Sequence, residues 1–136
     1  MREIKSRGRS EKNSEWLVGS LVCFGNFKCI WAFDADFYDL VQRDRRLSPE
    51  YIIDPKTVGQ YIGLIDEKGA QVYEGDIVEC YGEDSEVILV AEVQFQEGSF
   101  CVQIDYDLHL IPLDAFGSAY KVIGNIHENP NLLTNE

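Results

Sequence analysis

Val58-Gly59-Gln60-Tyr61-Ile62-Gly63-Leu64-Ile65-Asp66-Glu67-Lys68-Gly69-Ala70-Gln71-Val72-Tyr73-Glu74-Gly75-Asp76-Ile77-Val78 lies at the middle of a 136-residue chain. Its glycines recur too closely for a helix to persist between them, and its apolar residues are largely β-branched or aromatic. Both features favour short strands. Gly59 and Gly63 interrupt the first strand, as at a bulge or a close backbone approach. Asp66-Glu67-Lys68-Gly69 reads as a tight hairpin connection, with Gly69 able to take positive φ. Tyr73-Glu74-Gly75-Asp76 reads as a second turn that launches Ile77 to Tyr81. The glycines therefore have backbone roles. Glu74 and Asp76 are turn acids, whose side chains accept backbone N–H bonds more often than they move protons.

Upstream, Glu15 to Cys23 is apolar and β-prone. Gly25-Asn26 is a two-residue turn, and Phe27 to Phe33 alternates with Phe27, Cys29, Trp31 and Phe33 on one face. The expectation is a hairpin with that aromatic face buried, over the barrel or against another chain. Trp16, Phe24 and Phe37 add to it, and a lone hairpin cannot bury so many rings. The first residues read as a short edge strand at Arg2 to Lys5 and an exposed loop from Arg7 to Asn13. Residues 34–50 read as an irregular or short helical excursion. Ser48-Pro49-Glu50 could start a helix, Tyr51 to Ile53 is strand-like, and Asp54-Pro55-Lys56 is a turn.

Downstream, Gly82 to Ser85 is an acidic loop. From Glu86 to Phe95 the pattern puts Val87, Leu89, Ala91, Val93 and Phe95 inward, with Glu86, Glu92 and Gln94 outward. Phe100, Val102 and Ile104 continue the inward face. Asp105 to Asp107 turns into a strand at Leu108 to Leu113. Gly117 to Tyr120 reads as a one-turn 3₁₀ segment before a last strand at Lys121 to Ile126. The class is mainly β: small barrels or curled sheets with little helix, the C-terminal part SH3-like. The expected division is an N-terminal region over residues 1–56 and a barrel over 57–136.

Lys plus Arg is 12 and Asp plus Glu is 24, a net charge of −12. The imbalance is local. Residues 1–12 carry +3, whereas residues 66–107 hold twelve acids against Lys68 alone, a net of −11. A phosphate backbone is repelled by that second half. Nucleic-acid binding needs Arg2, Lys5, Arg7 and Arg9 to converge with Arg43, Arg45 and Arg46.

Cys23, Cys29, Cys80 and Cys101 lack the paired spacing of zinc or redox sites and read as buried thiols of a reducing compartment. No apolar run approaches the ~18 residues of a membrane helix, and no apolar h-region follows the charged start. The expectation is a soluble cytoplasmic protein. No phosphate loop, nucleophile elbow or zinc motif is present. Asp34, Asp36 and Asp39 fail the calcium-loop pattern, since the glycine and final glutamate positions hold Asp39 and Arg45. Cys101 and His109 are the one pairing with nucleophilic chemistry, and would need a third group to orient them. His127 reads as a surface residue. No catalytic, cofactor or metal residue is assigned.

Three segments together resemble the YopX family of phage and prophage proteins. They are Met1 to Lys5 with Glu15 to Leu21; the central stretch with Ile53-Asp54-Pro55-Lys56-Thr57 before it; and Tyr120-Lys121-Val122-Ile123-Gly124-Asn125-Ile126-His127-Glu128-Asn129-Pro130. The marker residues are Gly59, Gln60, Tyr61, Gly63, Leu64, Asp66, Gly69, Tyr73, Glu74, Gly75, Asp76, Gly124 and Asn125. Ser6 stands where the family is usually aromatic, Ile62 replaces the usual threonine, and residues 34–48 have no counterpart. The resemblance implies a phage-encoded protein of the host cytoplasm, oligomeric, with no activity, cofactor or substrate to carry over. The function expected is non-enzymatic protein–protein interaction, with a nucleic-acid-binding barrel or an acidic DNA mimic as alternatives.

Overall fold

A computed structural model describes residues 3–25, 27–32, 49–103, 110–117 and 119–133. The chain is mostly strand, in antiparallel sheets joined by tight turns and 3₁₀ segments, with no α-helix among the described residues. Two compact units divide at Tyr61 and Ile62.

The first unit contains β1 (Ser6–Arg9), β2 (Trp16–Phe24), β3 (Phe27–Ala32) and the start of β4 (Gly59–Ile65). β2 and β3 form the expected hairpin, and pairing of Phe24 with Phe27 confirms a two-residue connection. β1 departs from expectation. Arg7, Gly8 and Arg9 are strand rather than loop, and β1 is internal, between β2 and β4. Nothing in Ser-Arg-Gly-Arg signals a strand by polarity. It is paired on both sides, and its cations are engaged: the Arg7 guanidinium stands 5.1 Å from the Trp16 ring centre, and Arg9 Nε donates to the Ser14 carbonyl.

The inward aromatic face of the hairpin is also corrected. Phe27 is 55% exposed, whereas Cys29 and its neighbour Ile30 are both fully buried. β3 is therefore covered on both faces at its middle and uncovered where the hairpin turns. Phe33, Phe37 and the excursion at 34–48 lie outside the described residues.

Ile53 to Thr57 closes this unit. The Ile53 N–H donates to the Lys28 carbonyl at 3.0 Å, and the Asp54 N–H to the Arg9 carbonyl at 3.0 Å. Asp54 caps the 3₁₀ turn at Pro55–Thr57 by accepting the Lys56 N–H. The buried Thr57 hydroxyl accepts the Arg9 N–H at 2.9 Å and donates to the Asp54 carbonyl at 2.6 Å.

The second unit holds the rest of β4 with β5 (Gln71–Tyr73), β6 (Asp76–Tyr81), β7 (Val87–Glu92), β8 (Gln94–Gln96), β9 (Ser99–Gln103), β10 (Leu110–Pro112) and β11 (Tyr120–Asn125). One three-stranded sheet runs β11-β6-β7, another β10-β9-β8. Ile62, Val72, Val78, Cys80, Ala91, Val93, Val102, Leu113 and Tyr120 form the core. Each fully buried aliphatic chain there contributes about 1.5–3 kcal/mol.

Two expectations shift here. The continuous strand from Glu86 to Phe95 is broken at Val93, where the chain passes from one sheet to the other. The Val93 N–H donates to the Asp76 carbonyl and its carbonyl accepts the Gly75 N–H. Val93 is buried, but Val87 and Phe95 at the ends are 49% and 54% exposed, not inward. The 3₁₀ segment lies at Leu113–Phe116, four residues earlier than Gly117 to Tyr120. Leu113 is fully buried and anchors that turn in the core. The turn at Asp105 to Asp107 and the inward position of Ile104 lie outside the described residues.

Candidate functional site

The central stretch is held by two buried carboxylates, each taking backbone N–H groups. Asp66 ends β4 and is 4% exposed. Its Oδ1 accepts the N–H groups of Lys68 at 2.9 Å and Ala70 at 2.8 Å, closing the turn. Its Oδ2 accepts the Val122 N–H at 2.9 Å, from β11. Around it the Glu67 N–H donates to the Tyr120 carbonyl at 3.1 Å, and the Tyr120 hydroxyl donates to the Ile65 carbonyl at 3.0 Å. The turn thus covers the outer edge of β11. Burial alone pushes the Asp66 carboxyl up. The N–H groups of Val122, Ala70, Lys68 and Gly69 outweigh that and hold it below its ordinary 3.8. A group stabilised as a carboxylate by fixed donors is an anchor, not a proton donor.

Asp76 is 1% exposed, and its Oδ2 accepts the Tyr73 N–H at 2.8 Å across the second turn. Gly75 sits in that turn at φ +88°, where an L side chain is strained. Its carbonyl accepts the Ile126 N–H at 2.9 Å, and a Cβ there would lie 3.5 Å from His127 Nε2. His127 is accordingly half-buried beside the turn rather than a plain surface residue. Asp76→Ala removes a buried acceptor of the Tyr73 N–H and is expected to cost about 2–3 kcal/mol. Urea unfolding followed by tryptophan fluorescence measures it.

The C-terminal segment repeats this use of side chains on backbone. Asn125 Oδ1 accepts the N–H groups of His127 and Glu128, both at 2.9 Å. Asn129 Oδ1 accepts the Asn125 N–H at 3.3 Å, and a Cβ on Gly124 would stand 2.5 Å from that oxygen. Gly124 leaves room for the Asn129 amide.

The marker residues do not converge on one point. Asp66 meets Val122, Gly69 closes its turn, Gly75 meets Ile126 and His127, and Asp76 holds Tyr73. Gly124 and Asn125 pair with Ile77 and Asp76 at the start of β6. Leu64 packs on the core, and Gly63 takes φ +89° within β4. Gly59 and Gln60 instead pair with Arg7 and Ser6 in the first unit. Tyr61 donates its N–H to the Lys5 carbonyl at 2.9 Å, with the Lys5 ammonium 4.9 Å from its ring centre.

Thr57, Tyr120, Val122 and Asn129 were not singled out from the sequence. The i, i+4 spacing of Asn125 and Asn129 is a signal that could have marked that turn; a backbone N–H such as that of Val122 leaves none.

Burial raises the Cys80 thiol to about 11, and raises Cys29 with a smaller push from Cys23. Neither is a thiolate nucleophile near neutral pH. Cys101 is buried, and His109 lies outside the described residues. Among the described residues no cluster of His, Cys, Asp and Glu has metal-ligating geometry, and no helix is long and apolar enough to cross a membrane. The Tyr81 phenol is raised by desolvation, then by its 3.1 Å bond to Glu79 and the charges of Glu79, Glu67 and Asp66.

The family model for YopX protein matches residues 7–134. The X-ray structure of yopX from Bacillus subtilis is similar at a TM-score of 0.60 and 21% identity, covering 100% of this chain and 99% of that one. Protein EF1440 from Enterococcus faecalis is similar at a TM-score of 0.53 and 21% identity, covering 98% and 99%. No curated protein matches the chain.

Proposed function

The chain belongs to the YopX family, and we propose that it is a phage-encoded, non-enzymatic accessory protein that acts in the host cytoplasm by protein–protein contact. The observation that carries this reading is the division of labour among its side chains. Asp66 and Asp76, the buried acids of the central stretch, hold backbone. Large apolar side chains meanwhile stand exposed on strands, among them Leu21, Phe27, Ile88, Val90 and Phe95. The β6–β11 region, with a 3₁₀ turn ahead of the last strand, is consistent with an SH3-like barrel. The same reading expects self-association through the aromatic N-terminal hairpin, seen as a light-scattering mass above 15.5 kDa.

Two observations weigh against nucleic acid as the partner. Lys5 pairs with Glu3 at 3.1 Å and lies over Tyr61, Arg7 lies over Trp16, and Arg9 Nε donates to the Ser14 carbonyl. The second unit adds an acidic field around Tyr81. Affinity capture from infected host cells at low salt, with and without nuclease, is expected to return a protein that survives the nuclease. An empty capture, or one lost on nuclease treatment, removes the reading.

A further inference from the structure

The β11-β6-β7 sheet buries side chains on the face away from its core as well as toward it. Val78 and Cys80 of β6 belong to the core. Side chains alternate along a strand, so Ile77 and Glu79 point the other way. Ile77 is nonetheless fully buried. The C-terminal 3₁₀ turn at Pro130–Leu133 packs against β7, with Leu132 and Leu133 half-buried. Its root is fixed. The Asn129 N–H donates to the Asn125 carbonyl at 2.8 Å, and Asn125 pairs with Asp76, the neighbour of Ile77. The Leu132 N–H donates to the Asn129 carbonyl at 3.0 Å. The turn is thus a strap rooted at the end of the sheet where Ile77 is covered.

Glu92 stands directly opposite Ile77 on β7 and shares its face. It is half-buried, and among the described residues it has neither a hydrogen bond nor an ion pair. The strap, Pro-Asn-Leu-Leu, brings no charge, and neither does β9, which also contacts β7. On β6 the next residue on this face is Glu79, whose Oε1 accepts the Tyr81 hydroxyl at 3.1 Å. On β11, Lys121 lies opposite Glu79, whereas Gly124 lies opposite Ile77. Glu86, at the far end of β7, accepts the Asp84 N–H. Ahead of the strap, Glu128 is exposed and His127 lies beside Gly75. Burial therefore acts on Glu92 without compensation and raises its carboxyl above the ordinary 4.5. A carboxylate beside an apolar turn gives up hydration that no donor replaces.

We propose that the Pro130–Leu133 turn is a strap that closes over Ile77 while Glu92 is protonated and swings away from β7, about Asn129, when Glu92 is charged. The closed form holds the proton more tightly than the open form. Closure is therefore fully favoured below 4.5 and is lost as pH rises through the higher value of the closed form. Opening uncovers Ile77 in the row next to Val90, which shares the face of Glu92 and is already 36% exposed. Loss of one proton thus extends an apolar strip across β6 and β7. This goes beyond the protein-interaction reading and does not depend on it.

Hydrogen exchange on the ¹⁵N-labelled full chain tests the strap, with rates corrected for the intrinsic pH dependence of exchange. The Leu132 amide reports closure, and the Val78 amide of the central strand reports the fold. Between about pH 5 and about pH 8, Leu132 protection in the native chain is expected to fall severalfold while Val78 stays protected. In Glu92→Gln, Leu132 is expected to keep its acid-side protection throughout. A native profile that is flat at Leu132 overturns the inference, and that measurement needs no variant. So does a profile that persists unchanged in Glu92→Gln, which would assign the titration to His127.

Discussion

Asp66→Ala is expected to destabilise the chain by about 3 kcal/mol, the largest single effect among these side chains. The carboxylate collects three backbone N–H groups, from Lys68, Ala70 and Val122, in a site that is 4% exposed. A buried donor left without a partner costs about 1–3 kcal/mol. The N–H groups of Lys68 and Ala70 lie in an exposed turn where water can replace the acceptor, so most of the cost falls on Val122. In thermal unfolding the midpoint falls by roughly 10 °C. Asp66→Asn retains one acceptor oxygen but turns an NH₂ group toward donors, and is expected to lose about 2 kcal/mol.

The pH dependence follows from the direction of the shift. The folded carboxyl sits below its ordinary 3.8, so its charge-linked stabilisation is fully present above that value. It is lost as pH falls through the lower folded value, because the unfolded chain takes the proton first. The stability gap between the native chain and Asp66→Asn should therefore hold at neutral pH and narrow below pH 3.8. A gap independent of pH there would assign the loss to shape rather than to the charge.

Gly8→Ala is expected to cost about 2 kcal/mol, with the loss recovered in part by a second change. A Cβ at Gly8 would stand 2.5 Å from Ile53 Cδ1, and 3.1 Å from its Cγ2. Ile53 is 1% exposed, so it has nowhere to turn without disturbing its neighbours. Overpacking of this kind typically costs about 1–3 kcal/mol. Ile53→Val removes Cδ1 and costs about 0.5–1.5 kcal/mol by itself. If the clash is the cause, the double variant is more stable than the two single losses predict, by about 1 kcal/mol. Simple additivity in the urea-unfolding cycle would show that Gly8 is needed for another reason.

These two sites show what the sequence could and could not convey. The Asp66–Gly69 turn was readable because an acid followed three residues later by glycine, between β-prone runs, has a local mechanism. That Asp66 also holds Val122 was not, because the partner is a backbone group 56 positions away. Gly8 gave less still. In Ser6–Arg9 every side chain is polar or absent, so periodicity is silent, and only the pairing of β2 and β4 on either side makes it a strand.

Alternation misled in another way. It places Val87 and Phe95 inward with Leu89, Ala91 and Val93, and passes over Ile88 and Val90, which are 54% and 36% exposed. The break at Val93 was hidden because a strand that changes sheets keeps its apolar period while its hydrogen-bond partners change. The family pattern, by contrast, was legible throughout. Its glycines, acids and asparagines close turns locally, and local chemistry is what a sequence displays.

The account holds that the buried acids of the central stretch serve the backbone, leaving recognition to exposed strand surface. A carbon-detected NMR titration of the Asp66 carboxyl in the native chain tests this most directly. The expected midpoint lies below 3.8, with the Val122 amide resonance moving at the same pH. A midpoint above 3.8, or a Val122 amide indifferent to the titration, would contradict it and mark Asp66 as a group held for proton chemistry instead.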